Sequence, residues 1–134
     1  MISIKEVGQI HHLLIEEYGG ATGVRDTGAL EAAISRPYAT FDQQELYPNP
    51  ADKAAAIIES ILINHPFVDG NKRTGYVLMR LILLKAGVDI EAGQEDKYDF
   101  VISIAKGERG FEDIKQWIEE RLKGVILTTF TNKR

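Results

Sequence analysis

Apolar side chains recur along most of this chain with the spacing of a helix rather than the alternation of a strand. Val7, Ile10, Leu14 and Tyr18 fall on one helical face; Ser3 with Glu6 is a capping-box signature ahead of it, and Gly19-Gly20 ends it. After a loop through Gly23, Asp26 is placed to cap a short helix carrying Leu30, Ala33 and Ile34, which Pro37 stops. Residues 38–47 are partly alternating and aromatic without a helical period, the pattern of a hairpin or extended flap. Asn49-Pro50-Ala51-Asp52 opens the next helix with a capping side chain, a proline at the first position and an acid in the first turn. That helix buries Ile57, Ile58, Ile61 and Leu62 and stops before Pro66, which disfavours a helical conformation at His65.

A further helix begins near Gly70-Asn71 and runs to Lys85, with Gly87 just past its end. Over 76–84 it is apolar nearly all round, which predicts a central helix covered on every side. Two more helices are predicted near 94–106 and 111–123, and the stretch 125–130 has strand propensity without an evident partner. No repeat, linker or low-complexity segment interrupts the pattern. The prediction is one domain over 1–134, all-α with a small β-hairpin flap, its core at about 4–122 and a short tail at 124–134.

The 134 residues suffice for one buried core. With no cysteine, disulfides and thiolate metal sites are excluded. The longest apolar stretch is broken by Arg80 and too short to span a bilayer, and Met1-Ile2-Ser3-Ile4-Lys5 leads straight into an amphipathic pattern rather than a signal peptide. A cytoplasmic protein with no membrane partner is expected. A net charge of −4 disfavours partners held by long-range attraction to phosphate backbones, so no direct nucleic-acid partner is expected.

Candidate chemistry concentrates in His65-Pro66-Phe67-Val68-Asp69-Gly70-Asn71-Lys72-Arg73-Thr74. An imidazole stands where one helix has ended, and a glycine then opens a helix whose first turn carries two cations. Unpaired backbone N–H groups and the positive end of the dipole make such a terminus an anion site. Gly70 lets a phosphate approach closely, Asp69 is a hard oxygen ligand suited to Mg²⁺, and His65 is a general base for a hydroxyl attacking that phosphate. Singly, each residue has a plainer and commoner role: Asp69 a helix cap, Gly70 a turn residue, Lys72 and Arg73 solvated charges. Together they supply the parts of a phosphoryl or nucleotidyl transfer site. Arg80, two turns beyond Arg73, reads as a buried ion pair with a carboxylate such as Glu59. His11 and His12 read as surface or core-edge residues, and Glu16-Glu17 and Glu119-Glu120 as solvated faces.

The ten-residue stretch resembles the Fic motif, H-x-F-x-[DE]-[AG]-N-[GK]-R, and a lysine at its eighth position marks the Doc (death-on-curing) branch. Gly23-Val24-Arg25-Asp26-Thr27-Gly28-Ala29-Leu30, followed by Arg36-Pro37, is similar to the N-terminal region of Doc-type toxins. The resemblance covers roughly 4–122 and implies a Fic/Doc-type helical bundle that uses ATP or another nucleotide triphosphate with Mg²⁺. It implies His65 as general base, Asp69 as Mg²⁺ ligand and Phe67 as a core anchor of the loop. Gly70, Asn71 and Lys72 would form the anion-binding turn, with Arg73 on the phosphates. Tyr38, Phe41 and Tyr47 would lie on the flap that pairs with an extended target segment.

Two departures shape the expected reaction. Fic adenylyltransferases have glycine where this chain has Lys72, and a second arginine where it has Tyr76. The resemblance then implies a reversed nucleotide, with the γ-phosphate facing His65 and a phosphorylated hydroxyl as product. Doc-type relatives are associated with phosphorylating a threonine of a translation elongation factor, which stops protein synthesis. Many Fic enzymes also carry a self-inhibitory [ST]-x-x-x-E-[GN] helix. Here only Thr27 has a glutamate four residues on, and Glu31 is followed by Ala32, so control by a small separate antitoxin is expected. The rival readings are AMP transfer of the Fic type, a ribonuclease toxin and a non-catalytic binding module. The acidic net charge and the Asp69-Gly70-Asn71 turn disfavour the ribonuclease, and the filled motif disfavours the binding module.

Overall fold

Helices α3 (Pro50–Asn64) and α4 (Asn71–Lys85) form the most extensive helix pair of the computed structural model, which describes residues 1–125. Gly75 makes their close approach feasible: a methyl group there would overlap the side chain of Leu62. Around α3 lie α2 (Thr27–Ser35), a 3-10 turn (Arg36–Tyr38), α5 (Gln94–Ala105) and α6 (Phe111–Arg121). The most enclosed helix is therefore α3, not α4 as the apolar run over 76–84 predicts. Small Ala54, Ala55 and Ala56 let neighbours close on α3 from several sides, while Tyr76, Val77, Arg80 and Leu81 of α4 stay half-buried and Leu84 is exposed.

Helix α1 (Ile4–Tyr18) opens with the expected capping box. Ser3 Oγ accepts from Glu6 N, and Glu6 Oε1 accepts from Ser3 N, both at 3.1 Å. Its buried stripe is Val7, His11 and Ile15; Ile10 and Leu14 are half-buried and Tyr18 is exposed. The stripe is rotated from the expected one because a histidine takes a buried position. Helix α2 starts as expected, with Asp26 Oδ1 accepting from Ala29 N at 3.0 Å.

The flap is a short antiparallel hairpin, β1 (Thr40–Phe41) with β2 (Gln44–Glu45), closed by Asp42 and Gln43, both at positive φ. Its three aromatic residues are not equivalent. Tyr38 and Tyr47 are half-buried at the base, where the Tyr47 hydroxyl accepts from Arg36 Nε at 2.9 Å and its ring meets Phe111 edge-on at 5.3 Å. Phe41 is 75% exposed.

A second antiparallel pair joins β3 (Val88–Ile90) to β4 (Leu122–Gly124), with Asp89 opposite Lys123. Helix α6 thus ends at Arg121, short of the predicted 123, because Leu122 turns extended to enter this pair. Val125 N donates to Gly87 O at 2.9 Å; the rest of the predicted strand-prone tail lies outside the described residues. The β3 turn also redirects Arg80. Its partner is Asp89, bonded through Nε at 3.0 Å and Nη2 at 2.6 Å, whereas Glu59 pairs with Arg36 at 2.9 Å. The expected Arg80–Glu59 pair does not form. His12 and Glu16 make an exposed pair at 3.4 Å, and no helix among the described residues is long and apolar enough to cross a membrane.

Candidate active site

The loop from His65 to Gly70 joins the end of α3 to the start of α4, and its backbone is held along nearly its whole length. His65 closes α3 in the left-handed region, φ 47°, with its N–H donating to Ile61 O at 3.1 Å. Segment 23–26 runs antiparallel beside it. Arg25 N and Asp26 N donate to Pro66 O at 2.7 and 3.1 Å, Val68 N donates to Gly23 O at 3.0 Å, and Val24 bridges Phe67. The Arg25 guanidinium reaches the last carbonyls of α3, those of Asn64 and His65. This pairing leaves the His65 side chain exposed on a fixed backbone.

Phe67 is buried, and the His11 ring stacks on it at 3.9 Å between centroids and 8° between planes. Asn71 clasps the same residue from the other side: its Oδ1 accepts from Phe67 N and its Nδ2 donates to Phe67 O, each at 3.0 Å. The Asn71 amide is thus committed to the loop. Gly70, at φ 75°, stands at the N-cap of α4 with no side chain capping the helix. Besides the left-handed backbone, space favours glycine there: an added Cβ would lie 3.1 Å from Ile15 Cδ1, which would have to give by a few tenths of an ångström. The first intrahelical bond runs from Thr74 N to Gly70 O, so the N–H groups of Asn71, Lys72 and Arg73 lie ahead of it at the positive end of the helix.

Asp69 does not cap α4. Its Oδ2 accepts from Ala21 N at 3.1 Å and its Oδ1 from Gly70 N at 2.9 Å. The bond from Ala21, then that from Gly70, hold its carboxyl below the usual carboxylate range, with a smaller contribution from nearby Lys72. Asp69, Lys72 and Arg73 are all exposed, and the Arg73 guanidinium lies over the Tyr18 ring at 4.0 Å, a contact that occupies none of its N–H donors. Tyr76 turns toward the core instead. Its hydroxyl is shielded from solvent with no partner among the described residues, and burial pushes its pKa up. Tyr76 itself brings no positive charge to that position, and nearby Arg80 is tied to Asp89.

Four contributors were not singled out as site residues from the sequence: Arg25, His11, Gly20 and Ala21. Arg25 lies within the stretch similar to Doc-type toxins, but nothing local marks its contact with a carbonyl forty residues away. His11 was legible in principle, because it stands four residues after Val7 and four before Ile15.

The model of the Fic/DOC family matches residues 1–83, which include the whole of this loop and the first three turns of α4. Toxin Doc of Mycolicibacterium smegmatis is 45% identical over 75 residues, 56% of this chain and 58% of that protein. Protein kinase doc of Escherichia phage P1 is 32% identical over 107 residues, 80% of this chain and 83% of that protein. On the motif, on the helices that hold it and on these matches, the chain belongs to the Fic/DOC family.

Proposed function

We propose that this chain is a Doc-type toxin that transfers the γ-phosphate of a nucleotide triphosphate to a hydroxyl of a protein. The observation that carries the reading is the loop itself, its backbone hydrogen-bonded along nearly its whole length. It presents an exposed imidazole at one end and, at the other, a helix N-terminus flanked by Asp69, Lys72 and Arg73. In the proposed reaction the target oxygen attacks the γ-phosphorus, its proton passes to His65, and the bond to the β–γ bridging oxygen breaks, releasing the nucleoside diphosphate. The N–H groups of Asn71, Lys72 and Arg73, with the Lys72 and Arg73 side chains, would hold phosphate oxygens. Lys72 and the uncharged Tyr76 support the reversed nucleotide, hence phosphoryl rather than AMP transfer.

Among the described residues no cluster of three or more histidine or carboxylate side chains could enclose a metal. A lone, exposed, ionised carboxylate beside an anion site fits Mg²⁺ that shares its coordination with phosphates and water. Asp69 would hold it, and the chemistry it supplies is neutralisation of charge on the phosphate oxygens. Following the Doc resemblance, the inferred target is a threonine of a translation elongation factor, and the inferred regulator is a small antitoxin.

The test is incubation of a purified elongation factor with nucleotide labelled at the γ or the α position, with His65→Ala as control. Label from the γ position alone, lost in the variant by about 10²–10⁴-fold in rate, is expected. Label from the α position would replace this reading with AMP transfer. No label from either, with RNA degraded instead, would replace it with a ribonuclease.

A further inference from the structure

The first helix and the turn after it, which contribute nothing to the ten-residue motif, hold Asp69 from two directions. His11 is 5% exposed, on a stripe otherwise made of Val7 and Ile15. Its Nε2 lies 2.8 Å from Asp69 O. A carbonyl oxygen only accepts, so this contact places the ring proton on Nε2. The same ring stacks on Phe67, so one side chain grips the loop at two residues two positions apart. Where α1 ends, Gly19-Gly20 turns the chain back over the loop. Gly20 has φ 116°, and a Cβ on it would fall 2.7 Å from Asp69 Oδ2. The next N–H, that of Ala21, donates to that oxygen.

We infer that α1 and the turn after it belong to the site: His11 is a positioning residue for Asp69, and Gly20 and Ala21 orient its carboxylate. A histidine kept only for volume would be a poor choice, since its buried N–H needs an acceptor that a leucine would not. With Oδ1 and Oδ2 each held by a backbone N–H, the remaining lone pairs of the carboxylate point in fixed directions, which sets where a cation can bind. This inference rests on the reading of Asp69 as the metal ligand.

The test measures Mn²⁺ binding by electron paramagnetic resonance, using the whole chain with a non-hydrolysable ATP analogue. Circular dichroism checks that each variant is folded. His11→Leu removes the donor and Gly20→Ala crowds the carboxylate; each should weaken Mn²⁺ binding by about tenfold or more, the usual effect of losing a partner that orients a ligand. His11→Gln, whose amide N–H can stand near the Nε2 position, should restore most of the affinity. Equal weakening in the leucine and glutamine variants would overturn the role of the hydrogen bond. Should His11→Leu not fold, Gly20→Ala in its exposed turn, together with His11→Gln, decides the matter. Wild-type Mn²⁺ binding in the folded variants, with binding lost in Asp69→Asn, would overturn the positioning role and leave the metal reading standing. Wild-type binding in Asp69→Asn would overturn the metal reading, and this inference with it.

Discussion

Arg25 donates from Nε to the carbonyl of His65 at 2.7 Å and from Nη2 to that of Asn64 at 2.6 Å, so a cation caps α3 at the residue proposed as the general base. His65 sits in left-handed backbone, where its ring direction depends on how firmly the turn is held. Arg25→Met should lower kcat by about tenfold or more through misplacement of the imidazole, with nucleotide affinity little changed. Arg25→Lys, which can reach one carbonyl but cannot fork to two, should recover part of the rate. Steady-state kinetics with thermal melts would check this; a fall in melting temperature with unchanged kcat would make Arg25 a stabilising cap alone.

The helices were legible because their signals are local. Ser3–Glu6, Asp26 and the Asn49-Pro50 start all sit where their sequence patterns predict. The motif loop was legible too, since its glycine, its acid and its cations are contiguous. What the sequence concealed depends on contacts between distant segments. Three-residue strands such as β3 are too short to show a period, and nothing near Arg80 distinguishes Asp89 from Glu59 as its partner. Burial by small residues is equally silent: Ala54, Ala55 and Ala56 read as weakly apolar yet line the most enclosed helix. Tyr38, Phe41 and Tyr47 look alike in sequence, and only the fold separates anchors from the exposed tip.

Lys72→Gly tests the orientation of the nucleotide. The lysine stands in the first turn of α4, near enough to Asp69 to help hold its carboxyl down. Its removal opens the proposed anion site and takes away one charge. The γ-transfer rate should fall by at least about tenfold, with no more than weak AMP transfer appearing, because Tyr76 stands where Fic adenylyltransferases have their second arginine. Transfer of γ-label at the parent rate would show that Lys72 does not set the orientation.

Acid should weaken the attachment of β3 to α4. The Arg80 hydrogen bonds, opposed by burial, hold the Asp89 carboxyl below its ordinary value. A depressed folded-state pKa contributes stability that is present in full above the unfolded value of about 3.9 and lost as pH falls through the folded one. Asp89→Asn should therefore be less stable than the parent at neutral pH, with the gap closing below about pH 4. Urea unfolding across that range would measure it, and a gap independent of pH would assign the loss to packing rather than to charge.

The flap divides into a base and a tip, and the two should respond differently to substitution. Tyr47 is tied to Arg36, which also reaches Ser60 at 3.0 Å and Glu59, so Tyr47→Phe removes one acceptor from a half-buried cation that keeps others. A stability loss of about 1 kcal/mol is expected, seen as a lower melting temperature. Phe41 touches little and is exposed beside two residues at positive φ, so Phe41→Ser should change stability by no more than about 0.5 kcal/mol. If this edge receives an extended target segment, as the family resemblance implies, the same substitution should raise KM for the protein target severalfold. KM for the nucleotide should stay unchanged, because the hairpin lies outside the motif loop. An unchanged KM for the target would mean that the segment binds elsewhere, and the exposed ring at the hairpin tip would need another partner.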